Sequence, residues 1–280
     1  MAKSGESTVP TFAIEPSSKR FRLRLGEIWR SRYLLFILAW RDVKLRYTQT
    51  VLGVAWAVLQ PVLSMVVFSV IFGRLAGLPS EGVPYSLFSL AALLPWQLFA
   101  GALQRAGTSL VGNAGLVTKV YFPRLTIPLA AAAAGLVDFT IALGVLGGLM
   151  LYYRIHLTWA ILWLPAFVIL ALLAALAAGI WLCALNVKYR DVEHALPFLI
   201  QIWLFASPVA YSAGLIPSGS WRIIYSLNPL AGVIQGFRWT LVGADPPGIM
   251  FLVSTAATIL ALASGLFYFQ RMEDTFADVI

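Results

Sequence analysis

The stretch "LNVKYRDVEHALPF", residues 185–198, joins two long apolar segments, and between positions 188 and 194 it gathers Lys188, Arg190, Asp191, Glu193 and His194. Residues 155–187 before it and 195–221 after it contain no Asp, Glu, Lys or Arg. Each flank exceeds the roughly 20 apolar residues that a helix needs to cross a bilayer. A knot of charge between two such flanks reads as a turn at a membrane surface, and the chain as helices threaded back and forth through lipid.

Working outward, uncharged windows recur at 47–73, 82–104 and 246–270, and 125–153 carries only Asp138. With 60% hydrophobic residues, 11% charged residues and a mean hydropathy of +0.84, a soluble globular domain is excluded. The fold class expected is an all-α membrane protein, one permease domain over 1–280, with six transmembrane helices per subunit at about 50–73, 83–105, 125–153, 158–186, 194–213 and 247–270. An even number of spans places both termini on one side. Ten Lys and Arg residues in 1–46, with Arg105, Lys119, Arg124, Lys188, Arg190 and Arg271, fall there, against Arg74, Arg154, Arg222 and Arg238 opposite. The positive-inside rule makes the richer side cytoplasmic. The net charge of +8 follows from this asymmetry and attracts anionic membrane lipids, so no nucleic-acid partner is expected. Residues 1–18 lack the apolar core and cleavage site of a secretory signal, so the first span is expected to insert the chain.

The segments between spans have their own character. Residues 1–32 form a basic N-terminus. Residues 33–48 alternate so that Phe36, Trp40, Val43 and Tyr47 share a helical face while Asp42 can pair with Arg46. That is either an amphipathic interfacial helix or a basic anchor for the first span. Pro61, Pro95, Pro165 and Pro208 are expected to bend four spans, and "LAAAAAG" (129–135) with Gly144 and Gly148 to let helices approach closely. Residues 214–246 are apolar and aromatic but broken by Pro217, Gly219, Pro229 and Gly232. They read as a re-entrant external helix pair with Trp221, Arg222, Pro229, Arg238 and Trp239 at a gate, or as a loop anchored by its tryptophans. Residues 271–280 form a tail.

The chemistry is sparse. No glycine precedes a lysine, so the phosphate-cradling G-x-x-x-x-G-K-[ST] is absent. There is no H-E-x-x-H and only one cysteine, Cys183, and the two histidines, His156 and His194, belong to opposite membrane faces. No catalytic residue, metal site or bound cofactor is expected. Asp138 stands alone at mid-span, where it is expected to be a hydrogen-bonded carboxylate facing the protein interior rather than a proton carrier. Gln60, Gln97 and Gln201 lie in apolar windows beside Trp56, Trp96 and Trp203. They would either line a channel, where indole faces suit sugar rings, or tie helices together.

Four stretches resemble the type-2 ABC exporter permeases, in the branch that exports polysaccharides, O-antigen and teichoic acids. They are "RDVKLRYTQTVLGVAWAVLQP" (41–61), "NAGLVTKVYFPRLTIPL" (113–129), "NVKYRDVEHALPFLIQIWLFASPVAY" (186–211) with "LIP" (215–217) and "LNPL" (227–230), and "MEDTFADVI" (272–280).

The resemblance implies a homodimer enclosing a polymer channel in a bacterial cytoplasmic (inner) membrane, with two copies of a separate P-loop ATPase supplying ATP and Mg chemistry. The implied substrate is a lipid-linked, O-antigen-like glycan, and Arg41, Lys44 and Arg46 are candidates to attract its phosphate head group. Asn113, Lys119, Phe122, Pro123 and Arg124, with Lys188, Arg190, Asp191 and Glu193, become the ATPase-coupling surface. The 188–194 turn is expected both to be held by its own ion pairs and to present the remainder to the ATPase. Small amphiphiles, teichoic acid or capsule polymer are the alternative cargoes. A proton-coupled secondary transporter would need repeats and several intramembrane charges, which the sequence lacks.

Overall fold

The computed structural model describes residues 25–48, 53, 55–215, 220–273 and 275–276. The basic run through Arg24, Pro217 and the tail after Phe276 lie outside the described residues. In chain order the helices are α1 (Leu25–Arg30), α2 (Arg32–Thr48), α3 (Ala55–Phe68), α4 (Tyr85–Gly112), α5 (Ala114–Lys119), α6 (Thr126–Ala133), α7 (Gly135–Tyr152), α8 (Leu164–Lys188), α9 (Asp191–Phe205), α10 (Ser220–Ser226), α11 (Pro229–Val242) and α12 (Gly248–Glu273). A π-helix, Ser69–Leu75, continues α3, and short 3-10 turns precede α8 and follow α9. Among the described residues there is no strand.

Five helical stretches are long and apolar enough to cross a membrane: Ala55–Leu75, Tyr85–Gly112, Thr126–Tyr152, Trp159–Lys188 and Gly248–Glu273. The chain is a multi-pass all-α membrane protein, and the span expected at 194–213 is helical only in its first part. Its helix α9 ends at Phe205 after 15 residues, a rise of about 22 Å against the roughly 30 Å of a hydrocarbon core. Pro208 is the reason, since a proline pushes the residue before it out of the helical region. The proline expectations also divide. Pro61 and Pro95 sit inside helices, but Pro165 lies in the first turn of α8, where its missing N–H costs nothing, and Pro208 lies past the end of α9.

α4 is the axis of the bundle. It packs against α3, α6, α7, α8, α9 and α11, while α12 lies against α8 and α11. Close approach rests on small residues. A methyl added at Gly179 of α8 would come within 2.9 Å of the Ala106 Cβ, one at Gly107 of α4 within 2.9 Å of Leu196, and one at Gly236 of α11 within 2.1 Å of the Phe167 ring. The alanine run of α6 is buried as expected, whereas a methyl at Gly144 or Gly148 would meet nothing within 4 Å, so that pair packs against none of the described residues.

α10 and α11 form a V. Its apex at Asn228 accepts a hydrogen bond from the Trp203 indole at 3.1 Å, and Trp203 stands edge-on to Phe99, midway along α4. α11 then climbs until Arg238 lies 3.6 Å over the ring of Phe88, in the first turn of α4. Of the expected gate residues, Arg238 is wholly buried. Its guanidinium donates to the Val209 carbonyl at 2.9 Å and the Tyr211 carbonyl at 3.0 Å. Asn228 donates to the Ala206 carbonyl at 3.1 Å, and the Tyr85 hydroxyl donates to that of Ala210. Residues 206–211 can therefore leave the helix without orphaning their carbonyls, each of which would otherwise cost several kcal/mol in lipid.

Arg238→Met should lower the melting temperature of the purified protein, with a loss of about 3 kcal/mol or more for two charge-assisted bonds removed from buried carbonyls. Gly236→Ala, which overpacks the same helix against Phe167, should cost about 1–3 kcal/mol. Thermal unfolding in one detergent, with Gly144→Ala as an unaffected comparison, checks both.

Candidate functional site

α4 is buried along most of its surface, yet Gln97, Gly101, Gln104 and Thr108 form a half-exposed stripe at helical spacing. On the helical wheel the stripe is flanked, about 80° away on either side, by Gly107, which meets Leu196 of α9, and by Arg105, which reaches α6 and α7. The same face continues as the buried Leu93 and Leu90, toward the end where the π-helix closes on α4. There Gly73 is indispensable, because a Cβ would lie 2.8 Å from the Tyr85 ring. The result is a polar groove along half the length of α4.

The six channel candidates separate around this groove. Trp56, Gln60 and Gln201 are exposed on α3 and α9, and Gln97 is half-exposed on the stripe itself. Trp96 is buried, with its ring 5.7 Å from that of Phe99. Trp203 is tied to Asn228 and Phe99, so its indole holds α9 to α4 and to the start of α11. Gln104 and Thr108 escaped sequence reasoning because they lie beyond the centre of their window; their recurrence with Gln97 at steps of three and four was the available signal.

Beside the groove, α2, α4 and α7 meet in a polar cluster. Arg41 donates to Asp42, at 2.8 Å and 3.1 Å, and to the Asn113 side-chain oxygen at 2.8 Å. Arg46 donates to one oxygen of Asp138 and Tyr47 to the other, while Arg105 stands 4.0 Å away. Asp138 is thus a hydrogen-bonded carboxylate, but it is not alone, because α2 and α4 bring two arginines to it. Asp42 pairs with Arg41 next to it, not with Arg46 four residues on as expected. The bonds also tilt α2. Arg41 meets the C-cap of α4, whereas Arg46 reaches the level of Arg105, so the helix descends along the bundle rather than lying flat on it. Of the three head-group candidates, Lys44 is exposed and Arg41 and Arg46 are engaged with carboxylates.

Arg105 fits only because its neighbours are glycines. Its Nε donates to the Ala131 carbonyl at 3.0 Å, where the helix breaks between α6 and α7, and a Cβ on Gly135 would lie 2.0 Å from its Nη2. Tyr47 is pushed up to about 12, first by burial and then by the hydrogen bond to Asp138.

The coupling candidates share the end of the bundle to which α4, α8 and α12 all run. Asn113 caps α4, Lys119 ends α5, and the loop exposes Val120 and Tyr121, with Tyr121 94% accessible at its tip. Phe122 and Pro123 are half-buried, and Arg124 donates to the Glu273 carbonyl at the end of α12. The expected ion pairs of the 188–194 turn are not formed. Lys188, Arg190, Asp191 and Glu193 are exposed, Lys188 lies 5.1 Å over the Tyr189 ring, and Asp191 and Glu193 occupy the first turn of α9, where the helix dipole favours them. Extended backbone at Tyr189 splays the charges apart. At the other end Trp221 and Arg222 are exposed, Pro229 opens α11, and Trp239 packs edge-on against Trp159 and Phe167.

Two outcomes follow for the cluster. Gly135→Ala should displace the Arg105 guanidinium and cost about 1–3 kcal/mol in thermal stability. The raised Tyr47 value means that the folded protein holds that proton more tightly than the unfolded chain. Its stabilising share is complete below about pH 10 and lost as pH rises through about 12. A spectrophotometric tyrosinate titration should therefore lose one component near pH 12 in Tyr47→Phe.

Residues 33–242 match the ABC-2 type transporter family. The chain is 30% identical to the O-antigen export system permease protein RfbA of Myxococcus xanthus, across 88% of this chain and 96% of that one. It is 27% identical to an O-antigen export system permease protein RfbA of Klebsiella pneumoniae, across 94% and 100%, and 23% identical to the polysialic acid transport protein KpsM of Escherichia coli, across 84% and 91%. With three-quarters of its length inside the family match and a full-length relative at this identity, the chain belongs to the ABC-2 type transporter permeases.

Proposed function

We propose that this chain is the transmembrane subunit of an ABC exporter that carries a lipid-linked, O-antigen-like polysaccharide across a bacterial cytoplasmic membrane, with both termini cytoplasmic. The observation that carries the reading is the half-exposed stripe Gln97, Gly101, Gln104 and Thr108 on an otherwise buried helix, beside α3 and α9, which keep Trp56, Gln60 and Gln201 on their outer faces. Amides and hydroxyls held at membrane depth need polar partners, and a hydrated glycan supplies them. Two such grooves facing each other in a homodimer would enclose a polar path. The O-antigen export permeases and the polysialic acid transport protein among its relatives support a glycan as cargo.

In this reading the loop tip at Tyr121 and the charged start of α9 meet a separate ATPase subunit, which binds ATP and Mg. Binding energy from that contact shifts the permease between packings, because a partner moves an equilibrium only through its differential affinity. Arg124, tied to the end of α12, transmits the movement to the last span. The V of α10 and α11 closes the outer end.

The test is ATP-dependent movement of a lipid-linked glycan across vesicles that hold this chain and its ATPase. Gln104→Trp and Thr108→Trp should reduce transport about tenfold or more, equivalent to 1.4 kcal/mol of added barrier, with ATP hydrolysis retained. If the hydrolysing complex moves small amphiphiles and no glycan, the cargo assignment fails.

A further inference from the structure

Among the described residues, the cluster of α2, α4 and α7 sets three guanidiniums against two carboxylates. Arg41, Arg46 and Arg105 face Asp42 and Asp138, and Lys44 stands exposed on the same helix as Arg46. Asp138 spends one carboxylate oxygen on Arg46 and the other on Tyr47. Arg105 is left 4.0 Å from it, outside hydrogen-bond reach, and its Nε is anchored on the Ala131 carbonyl. A planar carboxylate offers two oxygens and cannot satisfy donors converging from three helices. A phosphoryl group offers three terminal oxygens arranged tetrahedrally and suits guanidinium donors well.

The position also suits such a ligand. The Asp138 side chain is 33% accessible and that of Arg46 39%, so the pair is reachable from outside. On α2 the stacked rings of Phe36 and Trp40 are exposed, which places an apolar surface on the helix that supplies Arg46 and Tyr47. Cations beside exposed aromatic rings match an amphiphile with a phosphorylated head and an apolar chain.

We propose that Arg46, Tyr47 and Arg105 form a phosphoryl-binding site that the Asp138 carboxylate fills as an internal competitor, and that a lipid-borne phosphate displaces it. The lipid source rests on the exporter reading; the phosphoryl site does not. Displacement removes the bonds that hold the end of α2 to α7, so arrival of a phosphate head group would free α2 from the bundle. Without ligand, Asp138 keeps the donors satisfied and the helix docked.

The experiment titrates the full-length chain, assembled with its ATPase in nanodiscs, with dioctanoyl phosphatidic acid. Dioctanoylglycerol, which lacks the phosphate, and inorganic pyrophosphate, which lacks the chains, are titrated in parallel. Asp138→Asn removes the competing charge and should tighten phosphatidic acid binding about tenfold, and Arg105→Gln should weaken it about tenfold, the scale of one charge-assisted hydrogen bond. Unchanged or weaker binding by an assembled Asp138→Asn complex overturns the proposal. If that variant does not assemble, Tyr47→Phe decides: binding several-fold weaker is expected, and unchanged binding overturns it. Pyrophosphate binding as tightly as the lipid would overturn the lipid source and leave the phosphoryl site. Binding is read without transport, so intact binding with no glycan movement would refute the exporter reading alone.

Discussion

A polypeptide in lipid cannot leave its backbone carbonyls unpaired, and the architecture is arranged around a stretch where the backbone leaves the helix. Between Phe205 and Ser212 the backbone is not helical. The carbonyls of Ala206, Val209, Ala210 and Tyr211 are accepted into other elements through Asn228, Arg238 and Tyr85. A buried guanidinium would ordinarily be very costly. Here it is spread over two carbonyl dipoles and the face of Phe88, with Glu81 the nearest countercharge. Because α11 carries Arg238 and α4 carries Tyr85 and Phe88, the unwound segment welds three elements together.

That weld sets the positions of everything near it. α11 can reach Phe88 only by packing tightly, so Gly232 and Gly236 meet α12 and the Phe167 ring without side chains of their own. The same logic recurs in the last third of α4, where Gly179 admits Ala106, and at Gly135, which leaves room for Arg105. In lipid there is no hydrophobic gain from bringing helices together, so close contact and satisfied polar groups carry the association. The glycines without neighbours among the described residues, Gly144 and Gly148, lie on a face that those residues leave open.

The polar features divide into two kinds. Those near Arg238 are largely closed: both of its terminal nitrogens, Tyr85 and Asn228 are paired with carbonyls of the unwound segment, and among these groups the Arg238 Nε is left over. Those along the α4 stripe and around Asp138 are open, with amides at the surface and Arg105 short of its carboxylate. Closed networks give rigidity, whereas open ones leave free energy for a ligand to take up. A transporter needs both, a frame that holds its irregular backbone and a path whose groups are only partly satisfied.

Much of this was legible in the residues. Charge-free windows, a knot of charge at 188–194 and the distribution of Lys and Arg determined an all-helical chain that crosses the membrane repeatedly, because hydrocarbon excludes charge whatever the packing. A helix at 33–48 and the two short helices after α9 were also readable, from periodicity and from Pro and Gly breaks. What the sequence could not decide was who meets whom. Arg238 read as an outer flank and is, among the described residues, the most deeply buried cation; Asp138 read as solitary and is met by Arg46 and Arg105, which lie 92 and 33 positions earlier in the chain. The ion pairs expected within 188–194 were local guesses that the extended backbone at Tyr189 undoes. Apolar composition is a property of each segment and survives reading one residue at a time. The pairing of a buried polar group depends on which helices pack side by side, and only the tertiary structure decides that.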